Sequence, residues 1–172
     1  MIHKRHFIIG LVLLLPIFIT NAVQSPISAQ GATAIRVSPT SASLAQNTTV
    51  ALYIIVENVT DLFDVSLNIS FDPTKLSIID ANPGKAGIQI DHGGFISPDH
   101  EAVNEVNGDR IIYRVAVLPP SPAGNGNGVL AKVTFLGITQ GTSHITVGAV
   151  LKDSEGNLIS HTSHPGLSLI HI

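Results

Sequence analysis

The chain has 172 residues, 9 Lys+Arg against 12 Asp+Glu, and no cysteine. That length holds one domain plus a processed end. The mild acidity argues against nucleic acid as a partner, since phosphate binding needs a basic patch, and the missing cysteines exclude disulfides and a lipid-bearing cysteine behind a leader.

The N-terminus opens with Lys4 and Arg5, followed by an apolar run over 7–19 broken only by Gly10 and Pro16. A run of that length suits the core of a secretory signal peptide and is short for a bilayer span, which disfavours an uncleaved anchor. Residues 20–32 are small and polar, with candidate cuts after Ala22, Ala29 or Gly31. The reading is a leader over 1–30, a domain over 31–161 and a short tail over 162–172. Loss of Lys4 and Arg5 leaves 7 basic against 12 acidic residues, a net charge of −5. A mature domain of this size buries roughly two-thirds of its unfolded surface and can stand on its core alone.

Beyond the leader, short alternating segments are separated by turn residues, which predicts strands. The first covers 34–37, and the second 49–56. In the second, Val50, Leu52, Ile54 and Val56 share one face; Ala51, Tyr53 and Ile55 make the other apolar too, so both sides are expected to be covered. A turn follows at 58–61. The clearest strand is 62–71, where Phe63, Val65, Leu67, Ile69 and Phe71 alternate with Asp64, Ser66, Asn68 and Ser70. Side chains change face at every strand residue, so this segment has one apolar and one polar side. Asp72-Pro73 stops it, because proline lacks an N–H and Asp accepts from the following backbone. Further strands are expected at 76–80, 88–91, 110–118, 129–138, 144–151 and 158–160. Residues 85–108 read as irregular, Asn107-Gly108 as a hairpin turn and 119–128 as a loop. Val129, Ala131, Val133 and Phe135 are expected on one face. No segment past the leader has helical periodicity. The fold expected is an all-β, two-sheet antiparallel β-sandwich of eight or nine strands with jelly-roll topology.

Catalytic and metal motifs are incomplete. His100-Glu101 begins like a zinc-protease helix, but Asn104 stands where the second His is required. His161, His164 and His171 read as a frayed C-terminus. Residues 153–157 superficially resemble a calcium loop, yet Gly156 stands fourth where an EF-hand needs its Gly sixth, so a hairpin turn is expected. Asp99, Glu101 and Glu105 could in principle supply a glycosidase pair; no cleft is indicated and they read as surface charges. Asn47, Asn58 and Asn68 begin N-glycosylation patterns that arise often by chance. There is no Trp, and Tyr53 and Tyr113 lie inside apolar strands. The aromatic platform that stacks on sugars is therefore missing. The residues point to no enzyme and to no metal or other cofactor.

The order of segments is similar to that of the cohesin domain over about 34–160. The strongest stretch includes Asn58-Val59, Leu62-Phe63-Asp64, the alternating strand, Phe71-Asp72-Pro73, Leu76 to Ile79 and Pro83-Gly84. Gly126-Asn127-Gly128-Val129-Leu130-Ala131 and Gly141-Thr142-Ser143 follow at matching places. The resemblance implies a nine-stranded sandwich outside the cell or on its surface. It also implies a dockerin-containing partner that carries its own calcium, and any polysaccharide association would come through that partner. The family's binding face uses the third, fifth, sixth and eighth strands. Here the third is 62–71, offering Asp64, Ser66, Asn68 and Ser70. The sixth is 110–118, offering Arg110, Ile112, Arg114 and Ala116. The family pattern has Asn and Asp near the start of the third strand; Asp64 and Ser66 stand at the matching places. The alternatives are a carbohydrate-binding module on a similar sandwich, or an envelope adhesin subunit.

Overall fold

Period-two patterning decides which side of each strand is buried. In β4 (Asp64–Ser70), Val65, Leu67 and Ile69 are buried and Asn68 is exposed. In β8 (Arg110–Ala116), Ile111, Tyr113 and Val115 are buried and Arg110 and Arg114 exposed. β4 and β8 pair antiparallel without a register break. β11 (Thr146–Lys152) lies on the other side of β4, and β7 (His100–Asn107) on the other side of β8. These four form one sheet, in the order β11-β4-β8-β7.

The computed structural model describes residues 31–163 and 168–171, and its regular structure is all strand. The expected leader over 1–30 and His164 lie outside the described residues. The facing sheet centres on β3 (Thr49–Leu62) and β9 (Gly124–Gly137). β1 (Ala34–Ser38) flanks β3, while β5 (Leu76–Ile78) and β6 (Asp91–His92) pair with β9. β12 (Thr162–Ser163) adds to β1 in parallel. A small third sheet has the order β10 (Gly141–His144), β13 (Ser168–His171), β2 (Ser41–Leu44).

One core lies between the two main sheets. Leu52, Ile54, Val56, Val133 and Phe135 come from one sheet; Val65, Leu67, Ile69, Ile111, Tyr113 and Leu151 from the other. Phe71, just past β4, meets Phe135 of β9 edge-on with ring centroids 5.6 Å apart, tying the sheets together. The two-sheet, all-β architecture agrees with the sequence reading; the described residues hold thirteen strand segments, several of two to four residues, where eight or nine strands are expected.

The differences have local causes. The expected turn at 58–61 is the continuation of β3. Asn58 (φ 54) and Asp61 (φ 57) adopt left-handed backbone inside it, with register shifts on both sides of Val59. These are bulges, each an extra residue opposite one partner. Their N–H groups donate to the side chains of β9: Asn58 N to Asn127 Oδ1 at 2.6 Å and Asp61 N to Asn125 Oδ1 at 2.9 Å. The expected loop over 119–128 therefore ends early, and 124–128 is strand. Gly128 is required there, since a Cβ would fall 2.2 Å from the Phe95 ring. A further bulge at Ile54/Ile55 turns both Leu130 and Ala131 into the core, so half-buried Val129 does not share their face.

Within 85–108, read as irregular, β7 is a strand that forms a hairpin with β8 across Gly108 and Asp109. The expected 76–80 strand shortens to β5, the strand expected at 88–91 is instead β6 at Asp91–His92, and Leu158 makes a single bridge to Lys152. β2, not foreseen, occupies 41–44, and the segments read as tail contribute β12 and β13. The second face of β3 is not covered on both sides, because Tyr53 is 39% exposed.

Candidate functional site

The outer face of the four-stranded sheet is built in rows, because residues directly opposite in a ladder point the same way. One row is Val150, Ser66, Arg114 and Val103; the next is Gly148, Asn68, Ile112 and Glu105. A third is Thr146, Ser70, Arg110 and Asn107, and a fourth is Lys152, Asp64, Ala116 and His100. All eight residues singled out from the sequence, Asp64, Ser66, Asn68, Ser70, Arg110, Ile112, Arg114 and Ala116, thus stand as four opposed pairs on one face. The register of the 110–118 strand puts Arg110 and Arg114 outward, as keeping charge out of the core requires.

Sequence reasoning named no residue of β7 or β11 for this face. The 144–151 pattern predicts β11 as a strand without assigning its face, and 85–108 carries no pattern that predicts β7. Between β11, β4 and β8 the face is dished. A shallow depression of about 330 Å³ is lined by Ser66, Asn68, Ile112, Arg114, Gly148 and Val150, among others. Gly148 deepens it by having no side chain. Val150 is 44% exposed at its rim, and Leu158, 72% exposed, extends the apolar border.

A polar cluster fixes the β7 side. The hydroxyl of fully buried Tyr113 lies 2.7 Å from His92 Nδ1, and His92 Nε2 is 3.2 Å from Glu101 Oε2. Glu101 also pairs with Lys85 and accepts from Asn104 Nδ2. Burial pushes the Tyr113 hydroxyl's pKa up, with the Glu101 charge adding to it. Burial would raise that of Glu101 too, but hydrogen bonds from Lys85 and Asn104 and the charges of Lys85 and His92 leave it below its ordinary value. Asn104, also buried, accepts from Ile90 N and donates to Ile90 O, both at 2.9 Å. The group ties the 85–92 segment to β7 and β8 and so supports the sheet from its edge.

The remaining motif residues do not converge. Asp99 accepts from Leu118 N and Ser121 Oγ, Glu101 belongs to the cluster above, and Glu105 points out on the outer face of the four-stranded sheet. Asp153 is occupied by its own turn, accepting from the backbone of Glu155 and Asn157 and from the Asn157 side chain, the hairpin turn expected there. Asp72 accepts from Thr74 N at 2.9 Å, the local bond its place before Pro73 suggests. His161 Nδ1 lies 3.1 Å from Ile159 O. Among the described residues no three His, Cys, Asp or Glu side chains are grouped to hold a metal ion.

No protein-family model matches the chain, and no curated protein is similar enough in sequence to match it. Solved structures do match in fold. A non-cellulosomal cohesin from the archaeon Archaeoglobus fulgidus is 18% identical with a TM-score of 0.63, covering 83% of this chain and 92% of that one. The type II cohesin A11 of Bacteroides cellulosolvens is 17% identical with a TM-score of 0.66, covering 83% and 100%. A type I cohesin–dockerin complex from Clostridium thermocellum matches at 16% identity and a TM-score of 0.64, covering 87% and 100%. The chain therefore has the cohesin-like β-sandwich fold.

Proposed function

We propose that this chain is an exported, non-catalytic docking module that binds a dockerin-bearing partner through the outer face of the β11-β4-β8-β7 sheet. The observation that carries the reading is that face. It is regular and largely small-residued, and it presents Ser66, Asn68, Ile112 and Arg114 around one shallow depression. Small polar groups on a flat sheet can hydrogen-bond a partner, and the apolar rim can then exclude water around those bonds. Fold similarity to cohesins, including one captured with a dockerin, supports the choice of partner. Export is supported by the charged start and short apolar core of 1–30, and the site lies outside the cell or on its surface.

Ser66→Arg or Asn68→Arg tests it. A large side chain at the centre of the face abolishes dockerin capture in a pull-down, because its bulk holds the partner off the sheet. Thermal melts stay within about 0.5 kcal/mol of wild type, as exposed sites usually do. Unchanged capture by both variants would remove this face from the docking role. Retention on insoluble polysaccharide without dockerin capture would favour the carbohydrate-binding alternative.

A further inference from the structure

Arg114 sits in the middle of the face, exposed, with Ser66 on one side and Val103 on the other. Its guanidinium has no hydrogen bond or ion pair to any described residue, whereas Arg36 is held by Glu57 at 2.9 Å and Lys132 by Asp91 at 2.8 Å on the opposite sheet. Asp64 and Glu105 stand diagonally from it, one row away, and neither pairs with it. The face carries three cations, Arg110, Arg114 and Lys152; Arg110 has Asp109 at 4.0 Å beside it, so Arg114 is the central cation left without a counter-charge, on a chain whose formal net charge is −3. Resting on the docking reading above, we infer that the dockerin bound here is acidic at its contact surface and sets a carboxylate on Arg114.

A guanidinium receives a carboxylate through two parallel N–H···O bonds, a geometry that lysine cannot copy. Two strands over, in the same row, Val150 rims the Gly148 hollow. Two strand spacings are about 10 Å. The partner surface thus needs a carboxylate and a small apolar side chain about 10 Å apart. Positions i and i+7 of a helix laid across the strands meet that spacing at about 1.5 Å per residue. A basic contact surface would set like charge against Arg114 and Arg110, which disfavours binding.

The probe is a surface-displayed library of dockerin modules selected on the purified chain. The expected winners carry Asp or Glu at the helix position that faces Arg114. Arg114→Glu weakens a selected dockerin by at least about 50-fold and flattens its salt dependence, with the melting temperature unchanged. Replacing that dockerin carboxylate with Lys restores binding to Arg114→Glu. Winners that bind wild type and Arg114→Glu within twofold of each other, or that fail the charge swap, overturn the inference while leaving the docking reading intact. A library with no binder to the wild-type chain overturns the docking reading and this inference with it.

Discussion

β4–β8 and β3–β9 are both antiparallel pairs, yet they solve different problems. β4 and β8 run through seven opposed pairs, 64 with 116 to 70 with 110, without a shift. β3 and β9 are 14 residues each, twice as long as β4 and β8, but their register slips at three places. Strict alternation built the first, and it stays even enough to offer a face. The second bends at its bulges and wraps the core, with Leu52, Val56, Val59 and Leu62 all fully buried. Bulges sharpen twist and curvature, so the sandwich keeps curvature in one layer and regularity in the other.

The strongest test of that contrast lies within β4. Leu67→Ala or Ile69→Ala removes a fully packed side chain and costs about 2–5 kcal/mol in denaturant melts. Their neighbours Ser66 and Asn68, one residue away, tolerate even arginine. A smaller loss from Leu67→Ala than from Ser66→Arg would mean the two sides of the strand are assigned wrongly. The β3 bulges come next. Asn58→Val forces a branched residue into left-handed backbone and is expected to be less stable than Asn58→Gly by about 1–2 kcal/mol. Equal stability of the two would show that β3 relaxes into ordinary strand there. Asn127→Ala removes the oxygen that accepts from Asn58 N and costs about 0.5–1.5 kcal/mol.

The smallest effect concerns acid. Glu101 has its pKa held below the ordinary 4.5 in the folded chain. A lowered carboxylate contributes stability above its unfolded value, and that contribution is lost as pH falls through the folded value. Melts of wild type should therefore fall more steeply below pH 4.5 than those of Glu101→Gln. Parallel pH profiles would show that Lys85, Asn104 and His92 do not hold the carboxylate.

The same contrast explains what could be read from the residues. The 62–71 segment was legible because one side is buried and the other wet, so period two is printed plainly in its composition. The outward arginines of β8, Arg110 and Arg114, followed from the cost of burying charge. Asn58, Asp61 and the Gly-Asn run over 124–128 misled because turn formers and bulge formers are the same residues; only the partner strand decides between them. β7 was obscured by buried Asn104 and by its own shift near Ala102. β12 and β13 have no local pattern and exist through pairing with distant strands. The centre of the face was thus visible in the sequence, while its flanks on β7 and β11 needed the registers.

Asn104 has one more consequence. Its carboxamide takes both the N–H and the C=O of Ile90, and Val106 N donates to Ile88 O, so the 88–90 segment is held against the outer rim of β7. A bare strand edge is a template on which another chain can polymerise. With that rim capped, a crowded, concentrated population of these molecules has one fewer route to stack into fibres, and Asn104→Val is where such a route would reopen.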